Sequence, residues 1–257
     1  MQTQATVHSF PLELPEGLSL PQPPLASGDL LSADGREARV LLHCCCAPCS
    51  TAILEWMVCA GLRPGIFFSN ANIYPFEEYV RRRQELVRYA ASCGLEVVED
   101  EYDHAAWLAH VRQLESPAAV PASIVSQHGT DEQIRIADMP ERGSRCQECF
   151  KFRLLRAARY ASDHGYGVLT TTLASSRWKN LQQVDIAGRF ACAAVNAENA
   201  ASPSFTEVAW WGQNWRKGGL QDRRNCLIHE RALYNQDYCG CEFSVRPVHP
   251  ATSPVWV

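Results

Sequence analysis

Four short apolar runs, each followed by a longer helix-forming segment, constrain the fold more than any other feature of the sequence. The runs occupy residues 39–43, 65–68, 95–98 and 167–170, and helices are predicted over 47–60, 75–93, 104–114, 146–163 and 181–195. Near-continuous apolar runs of this length are typical of parallel strands buried on both faces. Their alternation with helices predicts a Rossmann-like, doubly wound, mostly parallel α/β sheet with helices on both faces.

The chain of 257 residues, 46% of them hydrophobic, is long enough to bury one sizeable core. We therefore expect a single catalytic domain over 38–257. Residues 1–37 hold five of the 15 prolines without a sustained hydrophobic period, which predicts a flexible N-terminal extension. Residues 116–143 lack any clear period and exceed the usual loop length, so they are interpreted as an inserted loop or lid.

Composition and charge exclude some partners. No apolar run approaches the roughly 18 to 20 residues that span a bilayer, and the first residues do not resemble a secretion signal. A soluble, cytoplasmic protein with no membrane partner is expected. The net charge of −4 gives no overall attraction to nucleic acid, so any RNA contact must depend on local basic patches.

Most of the 12 cysteines fall in three groups. The first, 43–49, reads His-Cys-Cys-Cys-Ala-Pro-Cys where the first strand turns into its helix, and the second is the Cys-x-x-Cys pair Cys146 and Cys149. Two cysteines from each group would complete the four thiolates that either a [4Fe–4S] cluster or a structural zinc requires. In a reducing compartment such bunching indicates metal or redox chemistry.

The third group is the Cys-Gly-Cys sequence of Cys239 and Cys241. A disulfide closed across one glycine is strained and easily reduced, so this pair is interpreted as an electron relay. The isolated cysteines are interpreted as small apolar side chains instead. They are Cys59, Cys93, Cys192 and Cys226.

Loops after the first, second and fourth strands should converge at the carboxyl edge of the sheet. Polar side chains predicted to border this crevice are Tyr74, Glu78, Thr171, Thr172 and Ser175. One interpretation is that these side chains bind the substrate. The alternative is that they cap helices or form turns. His43 is either a buried strand-end histidine or a support for the metal site. Asp103 is expected to be a helix N-cap and Trp107 a core residue.

Two basic patches are candidate RNA contacts. Arg81, Arg82, Arg83 and Arg88 share one helix, whereas Arg216, Lys217, Arg223 and Arg224 lie near Trp210, Trp211 and Trp215. Arginines that contact phosphates and aromatic rings that stack on bases are common in RNA recognition. The alternative for each patch is an ordinary solvated surface.

Six motifs, in order, resemble the cobalamin-independent, iron–sulfur family of epoxyqueuosine reductases. They lie at 42–49, 70–79, 101–107, 145–154, 170–173 and 235–244. The resemblance implies two-electron removal of the epoxide oxygen from epoxyqueuosine at the tRNA wobble position, giving queuosine. Their position makes the crevice residues candidate substrate contacts, and their charge makes Arg81, Arg82 and Arg83 candidate tRNA contacts. The electron donor is unidentified.

Site roles follow from the same resemblance. Cys45, Cys46, Cys146 and Cys149 are similar to the ligands of a [4Fe–4S] cluster, and Cys239 and Cys241 to a redox-active pair. Cys49 is a candidate ligand of a second metal, such as a mononuclear iron acting as a Lewis acid on the epoxide oxygen. The family usually has a small residue at Cys44.

Two other functional classes are considered. The first is an RNA-binding module in which four cysteines hold a structural zinc, but such a module has no need of the Cys-Gly-Cys pair. The second is an ATP-dependent tRNA-modifying enzyme, which the absence of a glycine-rich phosphate loop after the first strand disfavours.

Overall fold

A computed structural model of the chain describes residues 39–115, 135–201 and 205–244. One all-parallel sheet has the strand order β3-β2-β1-β4-β5. The strands are β1 (Val40–His43), β2 (Gly65–Phe68), β3 (Val97–Glu99), β4 (Val168–Thr171) and β5 (Ala209–Trp210). The predicted parallel α/β fold is confirmed.

Six α-helices accompany the sheet in the described part of the chain. They are α1 (Ala47–Cys59), α2 (Phe76–Ser92), α3 (His104–Arg112), α4 (Ser144–Asp163), α5 (Leu181–Asn199) and α6 (Leu220–Glu230). Short 3₁₀ helices cover Gln113–Glu115, Ile136–Asp138, Thr172–Ser175 and Glu242–Ser244. Because crossovers between parallel strands are right-handed, winding outward from β1 in both directions places helices on both faces.

The central strand β1 fixes the position of the site. Leu42 of β1 lies in register between Ile66 of β2 and Thr170 of β4, and all four β1 residues are buried. The chain order reverses between β1 and β4, and ligands of such sheets bind beyond the carboxyl ends of the strands at this reversal. The loop 44–46 and the 3₁₀ helix Thr172–Ser175 follow these two strands directly.

Helix starts follow from the local sequence. Pro48 occupies the first turn of α1, where the missing N–H costs nothing. Asp103 caps α3 by accepting a hydrogen bond from the Ala106 N–H at 2.8 Å, and Trp107 is fully buried, so both predictions are confirmed. The amide oxygen of Asn180 caps α5 through the N–H groups of Gln182 and Gln183.

The structure differs from the sequence-based prediction at three elements. The third strand is Val97–Glu99 rather than 95–98, because Leu95 instead donates to the Ala90 carbonyl at the end of α2. β5 and α6 were not predicted. β5 has only two residues, and α6 is mostly polar, so neither produces a clear hydrophobic period.

The predicted extension 1–37 and most of the predicted insertion lie outside the described residues. The described end of that insertion begins at Arg135 and packs on the domain, since Ile136 is buried and its carbonyl accepts a 2.6 Å hydrogen bond from Arg145. Across the described ranges, no helix combines the length and apolar character needed to cross a membrane.

Candidate metal and redox site

A cavity of about 490 Å³ opens at the carboxyl edge of the sheet. Thiols from all three predicted cysteine groups line it: Cys45, Cys49, Cys146, Cys239 and Cys241. The groups are far apart in sequence, so only the fold brings them together. The predicted convergence of the three groups on one crevice is confirmed.

The first cysteine group forms a compact sulfur cluster. The sulfur atoms of Cys45, Cys46 and Cys49 all lie within 4.8 Å of one another, and the three residues are buried. Such a set of soft sulfur donors selects iron–sulfur centres, zinc or copper rather than magnesium or calcium. These residues therefore fit a metal.

The electrostatics of this sulfur cluster favour one thiolate. Hydrogen bonds from Cys46 and Cys49 hold the pKa of the Cys45 thiol well below its usual range, whereas burial raises the pKa of Cys46. The positive charges of Lys179 and Arg153 also lower the Cys45 pKa. Because the thiolate is the form that binds metal, Cys45 is prepared for ligation.

Cys44 does not belong to the sulfur cluster. It is fully buried, its N–H donates to the Phe67 carbonyl at 2.9 Å, and its own carbonyl accepts from Asn70 at 2.9 Å. Burial raises the pKa of its thiol. Cys44 thus continues the core of β1 and acts as a small apolar side chain.

The second group lies at the start of α4. Cys146 is half-buried, and its sulfur accepts a hydrogen bond from the Arg142 N–H at 3.3 Å. Cys149 is buried in a small apolar cluster that also contains Trp107 and Cys241. Burial raises the pKa of both thiols of this pair. Neither sulfur lies within the compact cluster of Cys45, Cys46 and Cys49.

The third group is a tight loop held by an arginine. Gly240 has φ +102°, a conformation that favours glycine, and a Cβ there would lie 2.9 Å from the Arg82 guanidinium. Cys239 is half-buried and Cys241 is buried, and both are free thiols. The loop is therefore built for close contact with Arg82.

Arg82 is not part of an exposed basic face. It is only 3% exposed, and it donates to the carboxylate of Glu78 at 2.6 Å and to the carbonyls of Tyr238 and Cys239 at 3.2 and 3.1 Å. Arg81, by contrast, is exposed, and Arg83 is partly exposed. The surface predicted for tRNA is thus reduced by one arginine, which instead holds the Cys-Gly-Cys loop.

Most of the side chains predicted to contact the substrate instead form hydrogen bonds within the protein that stabilise the site. Thr172 Oγ1 accepts from the Cys45 N–H at 3.2 Å, and Ser175 Oγ donates to the Cys49 carbonyl at 3.1 Å. The carboxylate of Glu78 is bound by Arg82 and by the Tyr234 hydroxyl. Ser175 is the member of this predicted set that lines the cavity.

Thr171 and Tyr74 complete that set. The Thr171 hydroxyl is 2.7 Å from His43 Nδ1, and Tyr74, 48% exposed, accepts a hydrogen bond at its carbonyl from the Tyr238 hydroxyl at 2.8 Å. His43 Nε2 donates to the Ser69 carbonyl at 3.0 Å, and burial lowers the pKa of His43 to about 3. His43 is thus a neutral, buried strand-end histidine.

Three functional side chains were missed by the sequence-based reasoning. Arg153, 2% exposed, donates to Ser69 and Asn70, and Gln236 donates to the Cys46 sulfur at 2.8 Å. Lys179 lines the cavity, where burial lowers its pKa but coulombic interaction with Cys239, Cys45 and Cys49 raises it by more. Gln236 lies three residues before Cys239, and this proximity in the sequence is the one signal that could have indicated its place at the site.

Trp211, Trp215 and Arg223 of the second predicted RNA patch form a structural cluster. Trp211 and Trp215 are buried, and their rings lie 6.2 and 5.5 Å from the ring of Trp56 on α1. Arg223 forms a bidentate ion pair with Glu55 at 2.6 and 2.7 Å. These side chains join α1 to the C-terminal half of the domain and do not form a platform for bases.

Comparison with known proteins finds a family and several relatives that match most of the chain. The profile of the family described as epoxyqueuosine reductase QueH matches residues 40–121 and 125–247. Relatives named epoxyqueuosine reductase QueH include those of Histophilus somni, 34% identical over 81% of this chain and 72% of theirs, and Haemophilus influenzae, 33% identical over 88% and 79%. That of Acinetobacter baylyi is 32% identical over 81% of each chain.

The fold and the thiol-lined cavity define an α/β oxidoreductase whose buried cysteine cluster fits a metal. The chain belongs to the epoxyqueuosine reductase QueH family. Its reaction is the step that converts epoxyqueuosine to queuosine in tRNA.

Proposed function

We propose that the chain removes the epoxide oxygen of epoxyqueuosine at the tRNA wobble position with electrons supplied through the cysteine-lined cavity. Loss of the oxygen as water leaves a carbon–carbon double bond and consumes two electrons and two protons. A Cys239–Cys241 dithiol provides both when it closes to a disulfide. In the balanced step, the dithiol and the epoxide therefore react to give the disulfide, the alkene and water.

The observation that carries this proposal is the shared cavity. Cys239 and Cys241 line the same space as Cys45 and Cys49 of the sulfur cluster, and the half-buried Cys239 is accessible to a reactant in it. A purely structural zinc site would not require a separate free thiol pair beside it. An enzyme is favoured over an RNA-binding module on this ground.

For the metal, we propose a [4Fe–4S] cluster held by Cys45, Cys46, Cys146 and Cys149, with Cys49 available to a second metal, a mononuclear iron. The buried sulfur cluster at the start of α1 supports Cys45 and Cys46 as ligands, and it also places Cys49 beside them. When bound, such centres supply electron transfer and Lewis acidity toward an oxygen atom. Gln236, which donates to the Cys46 sulfur, and Arg153 supply hydrogen bonding and positive charge that stabilise thiolates.

Protein groups other than cysteine serve the leaving oxygen. Lys179 carries a positive charge at the cavity wall, where an alkoxide that develops as the C–O bond breaks is stabilised. Its ammonium group also donates a hydrogen bond to that oxygen, while both protons come from the Cys239–Cys241 dithiol. Ser175 lines the same wall, and its hydroxyl, which donates to the Cys49 carbonyl, is able to accept a hydrogen bond from the substrate's diol.

The remaining predicted contacts are assigned to the tRNA and to the nucleoside. Arg81 and Arg83 lie on α2, at the surface, and are proposed to contact phosphates. Tyr74 is exposed and is proposed to contact the nucleoside, while Glu78, Thr171 and Thr172 act by holding the loops that carry the cysteines. An external electron donor returns the disulfide to the dithiol.

The test uses anaerobically purified full-length protein incubated with epoxyqueuosine-containing tRNA and dithiothreitol. Digestion to nucleosides followed by mass spectrometry is expected to show conversion to a product lacking one oxygen atom. Metal analysis is expected to give iron and sulfide. An unchanged nucleoside, or full activity in protein that contains only zinc, would overturn the proposal.

A further inference from the structure

Trp178 is an exposed aromatic side chain at the wall of the reactive cavity. Its 60% exposure is the highest among the large apolar side chains in the described ranges, and it lines the cavity that contains Cys45, Cys49 and Cys239. Folding normally removes an indole of this size from water. An exposed aromatic residue at a site therefore indicates a surface that a ligand covers.

The backbone around Trp178 is held firmly. Arg142 donates to the Trp178 carbonyl at 2.9 Å and to the Arg177 carbonyl at 3.2 Å. Arg216 donates to the Lys179 carbonyl at 2.7 Å and to the Ser176 carbonyl. Since two arginines fix four successive carbonyls, the indole is exposed on an ordered loop, and binding there loses little conformational entropy.

The surroundings of the indole suit a nucleic acid. The guanidinium of Arg177 lies 5.3 Å from the centre of the Trp178 ring, and Arg142 and Arg224 also line the cavity. Aromatic rings stack on unpaired bases while neighbouring cations contact the phosphates. A protein electron donor would not need an aromatic ring at the wall of the cavity that receives the nucleoside.

We propose that Trp178 is a stacking platform for a tRNA base adjacent to the modified nucleoside. This proposal rests on the proposed function. When the modified nucleoside enters the cavity, the neighbouring base stacks on the indole, and Arg177 and Arg142 contact the adjoining phosphates. Trp178 thereby sets the position of the RNA strand relative to Cys239. The ligand class is an unpaired nucleotide with a base, not a free nucleoside.

The test measures binding of a labelled anticodon stem-loop by fluorescence anisotropy, with the metal-loaded full chain. Two RNAs are compared, one intact and one with an abasic residue beside the modified position. Trp178→Ala is expected to weaken binding of the intact RNA about 5- to 100-fold, the range typical of base stacking. Trp178→Phe should retain most of the affinity, because a smaller ring still stacks.

The decisive measurement combines Trp178→Ala in the protein with the abasic residue in the RNA. The abasic RNA should bind wild type more weakly, whereas Trp178→Ala should bind both RNAs with equal affinity, because the lost base is the one that the indole contacts. Phe190→Ala, an exposed aromatic on α5 outside the cavity lining, is the matched control and should bind as wild type. Unchanged binding by Trp178→Ala, or independent effects of the two changes, would overturn the proposal.

Binding is measured separately from turnover, so the two proposals fail separately. If wild type binds the RNA through Trp178 but removes no oxygen, the reductase mechanism fails and the platform stands. If wild type removes oxygen but Trp178→Ala binds normally, the platform alone fails.

Discussion

Arg82 on α2 donates a 3.1 Å hydrogen bond to the carbonyl oxygen of Cys239, 157 residues further along the chain. The same guanidinium bonds to the Tyr238 carbonyl and forms a buried ion pair with Glu78. Arg82 therefore connects a helix at the edge of the site to the Cys-Gly-Cys loop, which carries the proposed redox pair. It is a positioning residue, since it acts on Cys239 through the backbone.

Arg82→Lys should lower turnover at saturating tRNA by about 10- to 100-fold, because an ammonium cannot bridge two carbonyls and a carboxylate in one plane and small misplacements are costly. Charge is retained, so Glu78 keeps a partner. The rate of Cys239 alkylation and the reduction potential of the pair should also change. Steady-state kinetics and redox titration check this expectation.

Arg83→Lys is the matched control, on the same helix one residue away. Arg83 is partly exposed and pairs with Glu99 at 2.7 Å, so the same exchange there should leave turnover and the reduction potential unchanged. Because Arg83 is also a proposed phosphate contact, the two variants are compared at saturating tRNA, where a lower affinity does not reduce turnover. Equal losses of turnover in both variants would show that Arg82 has no special role in positioning the loop.

The sheet could be predicted from the sequence because the patterns that indicate strands are local. Runs such as 65–68 are apolar throughout and are flanked by turns, so strand and fold class follow from composition and period. The pairing of Cys45 and Cys46 with Cys146 and Cys149 rests on the four thiolates that they supply together. Neither inference required knowledge of particular side-chain partners.

The roles of arginines could not be predicted in the same way. Arg82 and Arg83 are adjacent in sequence and identical in type, yet Arg82 is buried because the carbonyls of Tyr238 and Cys239 meet it in space. Arg223 is likewise committed to Glu55, 168 residues away. Such pairings depend on tertiary structure, so a basic run in the sequence does not distinguish an RNA contact from an internal ion pair.

Loss of individual cysteines should separate the two proposed metals. Cys146→Ala should lose most of the iron and sulfide, from about four of each per chain for a [4Fe–4S] cluster. Cys49→Ala should retain the cluster and lose at most one additional metal ion. Metal analysis and the visible absorption spectrum of anaerobic protein check this. If Cys49→Ala loses the cluster and Cys146→Ala keeps it, the ligand set is wrong and Cys49 completes the site.

Replacement of the redox pair should abolish reduction without removing the metal. Cys239→Ser is expected to bind iron as wild type but to lose turnover by about 100-fold or more, because a single thiol cannot deliver two electrons by forming an intramolecular disulfide. Cys226→Ser, an exposed cysteine on α6, is the control and should be fully active. Substantial turnover by Cys239→Ser would contradict the electron route.

Alkylation should discriminate between the two thiols of the pair. In a Cys226→Ser background, iodoacetamide is expected to modify Cys239 before Cys241, because Cys239 is half-buried and lines the open cavity, whereas Cys241 is 7% exposed. Peptide mass mapping against time checks the order. Modification of Cys241 first would mean that the loop opens in solution and that Arg82 does not hold it.

The Glu55–Arg223 pair should contribute to stability rather than to RNA binding. Arg223→Met leaves the Glu55 carboxylate, 8% exposed, without its bidentate partner, and loss of one member of a buried pair costs about 3–5 kcal/mol of the free energy of unfolding. A second exchange, Glu55→Gln, should restore part of this loss because a neutral amide is easier to bury. Arg189→Met, in a pair whose side chains are 70% and 38% exposed, should change the free energy by less than about 1 kcal/mol. Urea titrations at equal metal content measure all three, and a small loss for Arg223→Met accompanied by weaker tRNA binding would instead restore Arg223 to the RNA surface.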